Sequence, residues 1–123
     1  MDLKDLQKIV ADFIDERYWR KFQNTKELAL STLIECSELL SLFQWKTGEE
    51  IDLTIRKDRE MMYHVKSEIS DILFGVLALS DHLNLNLESI FTAKMKELNS
   101  RYSKENVKGK VVKFPESKID FKE

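Results

Sequence analysis

LALSTLIECSELLSLFQW, residues 28–45, and SEISDILFGVLALS, residues 67–80, are two long apolar runs with two charged side chains each: Glu35 with Glu38, and Glu68 with Asp71. Apolar side chains recur around nearly the whole circumference of a helix drawn through 28–45, the pattern of a helix surrounded by others rather than lying on a surface. Both acid pairs have the spacing acid-x-x-acid. Residues three apart on a helix are neighbours on one face, with Cβ atoms about 5–6 Å apart, so each pair sends two carboxylates the same way. Burying unpaired carboxylates costs several kcal/mol, on the order of their effective desolvation penalty, and neither run supplies a Lys, Arg or His to pair with them.

The rest of the composition agrees with helices. In 123 residues there are 3 Gly and 1 Pro, with 42% hydrophobic and 34% charged residues, which argues against a turn-rich β fold and for an all-α domain. The domain is small enough to gain by burying a face against another copy, so an oligomer is expected. A net charge of -2 gives no global positive field to recruit nucleic acid or an anionic membrane. One cysteine, Cys36, excludes an internal disulfide and reads as small core filler, consistent with a reducing, cytoplasmic setting. The first eight residues alternate charged and apolar side chains and have no signal-peptide core. Two mid-run glutamates make 28–45 a poor membrane span.

Four main helices follow from the periodicity. Leu3, Leu6, Ile9, Val10, Phe13 and Ile14 lay out the first, which ends near residues 18–22. Asn24 with Glu27 reads as a cap opening the second at about Thr25, running toward Gly48. Residues 47–59 are charged and mixed, a loop with a short helical piece. The third helix spans about residues 59–82, with Gly75 marking a close approach, and the fourth carries Leu87, Ile90, Phe91, Met95 and Leu98 inward. Beyond Tyr102 the pattern fails. A helical domain over residues 1–105 and a basic tail over 106–123, holding Lys108, Lys110, Lys113, Pro115, Lys118 and Lys122, are therefore expected.

If the second and third helices pack antiparallel, Glu35, Glu38, Glu68 and Asp71 converge and need a counter-charge. A solvated helix face is the ordinary explanation of a Glu-x-x-Glu match, but Ile34, Leu39, Leu42 and Trp45 around one pair and Ile69, Ile72, Leu73 and Phe74 around the other weaken it. Metal ligation is favoured. Zinc takes Cys and His, and a di-iron bundle needs Glu-x-x-His, whereas the residues three before His64 and His82 are Met61 and Leu79. Oxygen-only ligation suits Mg²⁺, with Mn²⁺ as a substitute, and leaves positions for phosphate oxygens. Lys94, within the apolar stripe of the fourth helix, and Arg101, one turn beyond Leu98 on the same face, could grip phosphates with help from Asn99 or Tyr102, although snorkelling alone also explains Lys94. Trp19, Phe22, Phe43 and Trp45 read first as core and second as surfaces on which a base stacks.

Glu35-x-x-Glu38 followed by Phe43-Gln44-Trp45, then Glu68-x-x-Asp71, Lys94-Met95 and Arg101-Tyr102, in this order, resemble the MazG-like nucleotide pyrophosphohydrolases, above all their dCTP pyrophosphatase branch. The similarity starts at Glu16-Arg17-Tyr18-Trp19 with Phe22 and ends at Lys108-Gly109 with Lys113-Phe114, nearly the whole chain. The resemblance implies an all-α, dimeric or tetrameric enzyme that uses Mg²⁺ to cleave a nucleoside triphosphate, a dCTP-like pyrimidine above all, to monophosphate and pyrophosphate, clearing the nucleotide pool. It further implies Glu35, Glu38, Glu68 and Asp71 as metal ligands, Glu35, Glu38 and Lys94 as catalytic groups, Lys94, Asn99, Arg101 and Tyr102 on the triphosphate, and Trp19, Phe22 and Trp45 around the base. The chain departs from that family at Gln23, Ser41, Leu98 and Ser103, which leaves the acids in place and bears on base preference. A non-catalytic helical assembly, a nucleotide sensor and a dimeric all-α dUTP hydrolase are the competing readings.

Overall fold

Each of the first five α-helices begins where a short polar side chain takes up an amide left free at its first turn. Asp2 and Asp5 form a reciprocal capping box that opens α1, Leu3–Glu16. Asn24 Oδ1 accepts from the Glu27 amide at 2.8 Å and opens α2, Thr25–Ser41. Thr47 and Glu50 box the start of α3, Gly48–Thr54. Asp58 caps α4, Arg59–His82, and Asn86 caps α5, Leu87–Arg101. A single turn, α6, covers Lys104–Val107. These elements come from a computed structural model that describes residues 1–121. The last two positions of the expected tail, Lys122 among them, lie outside the described residues.

The four long helices are α1, α2, α4 and α5, as the periodicity predicts, and no strand occurs among the described residues. Helix α2 stops at Ser41, earlier than expected, and successive turns carry the chain through Phe43, Gln44 and Trp45 to Thr47. The α4 end is a Schellman arrangement: Asn84 takes a left-handed backbone (φ 55°), the Leu85 amide donates to Ser80 O at 2.8 Å and the Asn84 amide to Asp81 O at 3.0 Å. Most tail side chains are exposed, but part of the segment is anchored. It returns along α5, where Phe114 packs near Tyr102 at 5.9 Å between ring centroids and the Ser117 amide donates to Glu97 Oε1 at 3.1 Å.

Helix α4 is the axis of the molecule, packed by α2 and α1, with α5 against α1. The buried core is small: Val10, Ile14, Leu77 and Ala78, with Leu6, Phe13, Leu28 and Leu87 packed on it. Helix α2, expected at the centre of a bundle, buries no residue completely. One of its sides meets α4 and the others are bare, so Leu33 is 64% exposed and Cys36, read as core filler, is an exposed free thiol.

Gly75 explains how closely α2 and α4 meet. A Cβ placed there would overlap the Thr32 hydroxyl and lie 3.2 Å from the Thr32 Cβ. Gly75→Ala is therefore expected to destabilise the fold by about 1–3 kcal/mol through overpacking, outweighing the gain of about 1 kcal/mol in helix propensity. Removing the hydroxyl in a Gly75→Ala, Thr32→Ala double variant should recover part of the loss. Urea midpoints of the three proteins measure both effects.

Candidate functional site

The α2–α4 contact that Gly75 permits brings the acid pairs together. One carboxylate oxygen each from Glu35, Glu68 and Asp71 lie within 4.8 Å of one another. Glu35 and Glu68 are half-buried, and each has its Oε2 shut off from solvent without a hydrogen-bond partner. Glu38 and Asp71 are exposed at the rim. Three of the four acids expected to converge do so, in a pocket that is partly open in the single chain, and Glu38 is outside that group of three.

The electrostatics are those of crowded like charges. The Glu68 carboxyl close against Glu35 raises the proton affinity of Glu35 above the ordinary carboxylate value; burial and the charge of Asp71 add to this, and Glu38 works against it. Glu38 is raised as well, first by the carboxyl of Glu35. Two buried oxygens without donors, one each on Glu35 and Glu68, form with Asp71 a donor set that fits a hard divalent cation.

A cavity of about 420 Å³ opens beside the acids, lined by Glu35 and Asp71 at one end and by Phe22, Gln23, Phe74 and Ala78 among others. The Gln23 Oε1 is a further buried acceptor without a partner. Along α2 the lining runs from Glu27 to Glu35, eight residues, or about 12 Å at the helical rise. The slot thus carries Glu35 and Asp71 at one end and Glu27 toward the other, with Phe22 and Phe74 in its walls.

Of the aromatic candidates, Phe22 lines this cavity, whereas Trp19 packs edge-on against Phe13 at 5.7 Å, and Trp45 is 89% exposed in the turns after α2. The basic candidates are elsewhere. Lys94, Asn99, Arg101 and Tyr102 are not among the residues lining the cavity. Lys94 Nζ pairs with Glu116 at 2.8 Å and approaches Glu97 at 3.7 Å, and Arg101 Nε lies 3.2 Å from Glu97 Oε1. Lys94 holds the Glu116 carboxyl below its usual range. Glu97, whose side chain is 4% exposed, is the hub of this second cluster. Its placement three residues after Lys94 and four before Arg101 was the available sequence signal. A wider groove of about 820 Å³ runs between α5 and the tail, past Lys96, Glu97 and Ser117.

No protein-family model matches the chain. It is 32% identical to bovine (Bos taurus) dCTP pyrophosphatase 1 over 112 residues, which are 91% of this chain and 66% of that protein. It is 33% identical to the human (Homo sapiens) dCTP pyrophosphatase 1 over 100 residues, 81% of this chain and 58% of that protein. The chain thus spans just under two thirds, or less, of the length of these curated relatives. A solved pyrophosphatase from Archaeoglobus fulgidus superposes with a TM-score of 0.72 at 32% identity, covering 81% of this chain and 91% of that one.

The raised carboxyls give a pH test. A carboxyl that binds its proton more tightly when folded stabilises the metal-free fold while protonated and loses that contribution as pH rises above the unfolded value, about 4.3 for Glu. Metal-free protein should therefore melt at lower temperature as pH increases from 4 toward neutrality. Millimolar Mg²⁺ at pH 7.5 should restore the melting temperature, and the restoration should vanish in a Glu35→Gln, Glu68→Gln variant followed by differential scanning fluorimetry.

Proposed function

Because this chain belongs to the MazG-like family of all-α nucleoside triphosphate pyrophosphohydrolases, in the branch that holds the dCTP pyrophosphatases, we propose that it is a Mg²⁺-dependent hydrolase that cleaves a dCTP-like pyrimidine nucleoside triphosphate to the monophosphate and pyrophosphate. The carboxylate cluster of Glu35, Glu68 and Asp71, with two buried oxygens lacking donors beside a slot that has Phe22 and Phe74 in its walls, carries this reading. The name and fold of the relatives supply its context.

Glu35, Glu38, Glu68 and Asp71 would hold the ion, Mg²⁺ or Mn²⁺, which when bound supplies Lewis-acid polarisation of phosphoryl oxygens and of water. The chain's own part is positioning and proton transfer. Glu38, exposed and with its proton affinity raised by Glu35, would take a proton from the attacking water. Phe22 and Phe74, both in the cavity wall, would receive the base, and Trp19 and Trp45, outside that wall in the single chain, would join them only in the assembled protein.

Lys94, Arg101, Tyr102 and Asn99 reach a triphosphate in this scheme from a second copy of the chain. Their helix, α5, packs against α1 within one chain, and the acid cavity has no cationic side chain among its described lining residues. The bare apolar faces support such an assembly. Leu33 and Leu40 on α2, Ile69 and Leu73 on α4 and Phe91 on α5 are exposed, more than a solitary soluble domain ordinarily leaves uncovered. No helix among the described residues is long and apolar enough to cross a membrane, and a cytoplasmic dimer or dimer of dimers completes the proposal.

Incubation of the pure protein with each dNTP and Mg²⁺ should release pyrophosphate, fastest from dCTP or a related pyrimidine. Turnover should disappear with a chelator. Glu38→Gln should reduce kcat by about 10²-fold or more, the scale of losing one preorganised polar group, with the helical spectrum intact. Absence of pyrophosphate from every triphosphate would overturn the assignment. Light scattering should return a mass of at least twice the chain's 14.5 kDa, and Leu33→Glu should lower it.

A further inference from the structure

Between α1 and α2 the chain makes a turn that it does not adopt for free. Tyr18 holds a left-handed backbone with φ 53°, unfavourable for a bulky side chain. Around it the Tyr18 amide donates to Asp15 O at 3.1 Å and the Trp19 amide to Ile14 O at 3.1 Å, closing α1 and turning the chain back across it. A turn of 3₁₀ helix over Arg20–Phe22 follows, and Gln23 resumes an extended backbone. This reversal sets Phe22 and Gln23 in the wall of the cavity that ends at Glu35 and Asp71.

One side chain fastens the turn to two helices at once. The Arg20 guanidinium donates through Nε and Nη2 to the two oxygens of Asp15, at 2.5 and 3.2 Å, and through Nη1 to Asp81 Oδ2 at 2.8 Å. Asp15 belongs to the last turn of α1 and Asp81 to the last turn of α4, the helix that also carries Asp71 and Phe74. Both carboxylates engage the same planar fork, an arrangement the compact ammonium of a lysine cannot reproduce. The aromatic rings tie the same elements on the inner side, with Trp19 edge-on to Phe13 and Phe13 edge-on to Phe74, each at 5.7 Å. The ion pairs are solvent-accessible and contribute little to global stability. What they fix is the placement of a strained turn.

We propose that Arg20 is a positioning residue for the nucleotide pocket: by bridging Asp15 and Asp81 it holds the residue 17–23 turn against α4, so that Phe22 and Gln23 form the wall that receives the base end of the substrate. This rests on reading the cavity as the nucleotide site, and it assigns a role to a residue that touches neither the acids nor the substrate. Arg20 acts on binding of the base, not on the chemistry at the acids. Its loss therefore belongs in KM, and a general loss of folded enzyme would instead scale the apparent kcat.

The test compares wild type with Arg20→Ala, Arg20→Lys and Asp81→Asn. Each is followed by steady-state hydrolysis of the preferred triphosphate, and by amide hydrogen exchange over residues 17–24. Arg20→Ala should raise KM about tenfold, within the range for misplacing a positioning group, while kcat changes by less than about twofold. Arg20→Lys, which can hold one aspartate at a time, should recover part of the loss, and Asp81→Asn should fall between wild type and Arg20→Ala. Exchange over residues 17–24 should speed up in Arg20→Ala, with exchange in the middle of α4 unchanged. Unaltered exchange would overturn the clamp, and faster exchange with unaltered KM would overturn its link to the pocket. Failure of the wild-type protein itself to hydrolyse any triphosphate would instead remove the functional reading, and with it the pocket role of Arg20.

Discussion

Where α2 crosses α4, a glycine faces a threonine, and the space for one methyl group governs the site. The hydrogen of Gly75 lets the Thr32 side chain lie against the α4 backbone. One to two turns away, the same crossing sets Glu35 opposite Glu68 and Asp71, with oxygens within 4.8 Å. A wider crossing would let the carboxylates separate and hydrate. Held at this distance they repel, and the fold keeps them together only because apolar contacts elsewhere along α1, α2 and α4 outweigh the repulsion. A buried carboxylate pair without a base is a charge waiting for a counter-charge.

The fold follows from the same economy of material. With Val10, Ile14, Leu77 and Ala78 as its fully buried apolar residues, the chain keeps most of its large hydrophobic side chains near the surface, concentrated on α2, α4 and α5. Capping side chains compensate locally, since every long helix starts with an Asp or Asn that satisfies a first-turn amide. The helices are thus individually well terminated and collectively under-packed, a combination suited to subunits that complete one another.

Much of this was legible from residue spacing alone. The periodicity placed all four long helices, the Asn24 cap lies where the sequence put it, and three of the four acids in the apolar runs, Glu35, Glu68 and Asp71, meet. What escaped was everything that depends on irregular backbone. The end of α2 at Ser41 came early because Phe43-Gln44-Trp45, apolar enough to continue a helix, turns instead. The Arg20 clamp joins residues 61 positions apart, a separation that no local pattern encodes. The sequence marked residues 106–123 as a basic tail without saying where it lies, because its anchors, Glu116 and Ser117, carry no periodic signal. Lys94 and Arg101 were read as facing inward because both lie on an apolar stripe, and a stripe specifies a direction but not which neighbour occupies it.

The docking of the tail also sets the charge of α5. Lys94 and Arg101 are balanced by Glu97 from their own helix and by Glu116 from the returning segment, a neutral quartet of two cations and two anions. A chain shortened before Glu116, or one whose end is drawn elsewhere, would leave two cations sharing a single carboxylate. That face would then carry a net positive charge and attract anions from solution, so the last few residues act at a distance from the acids as ballast for the opposite sign.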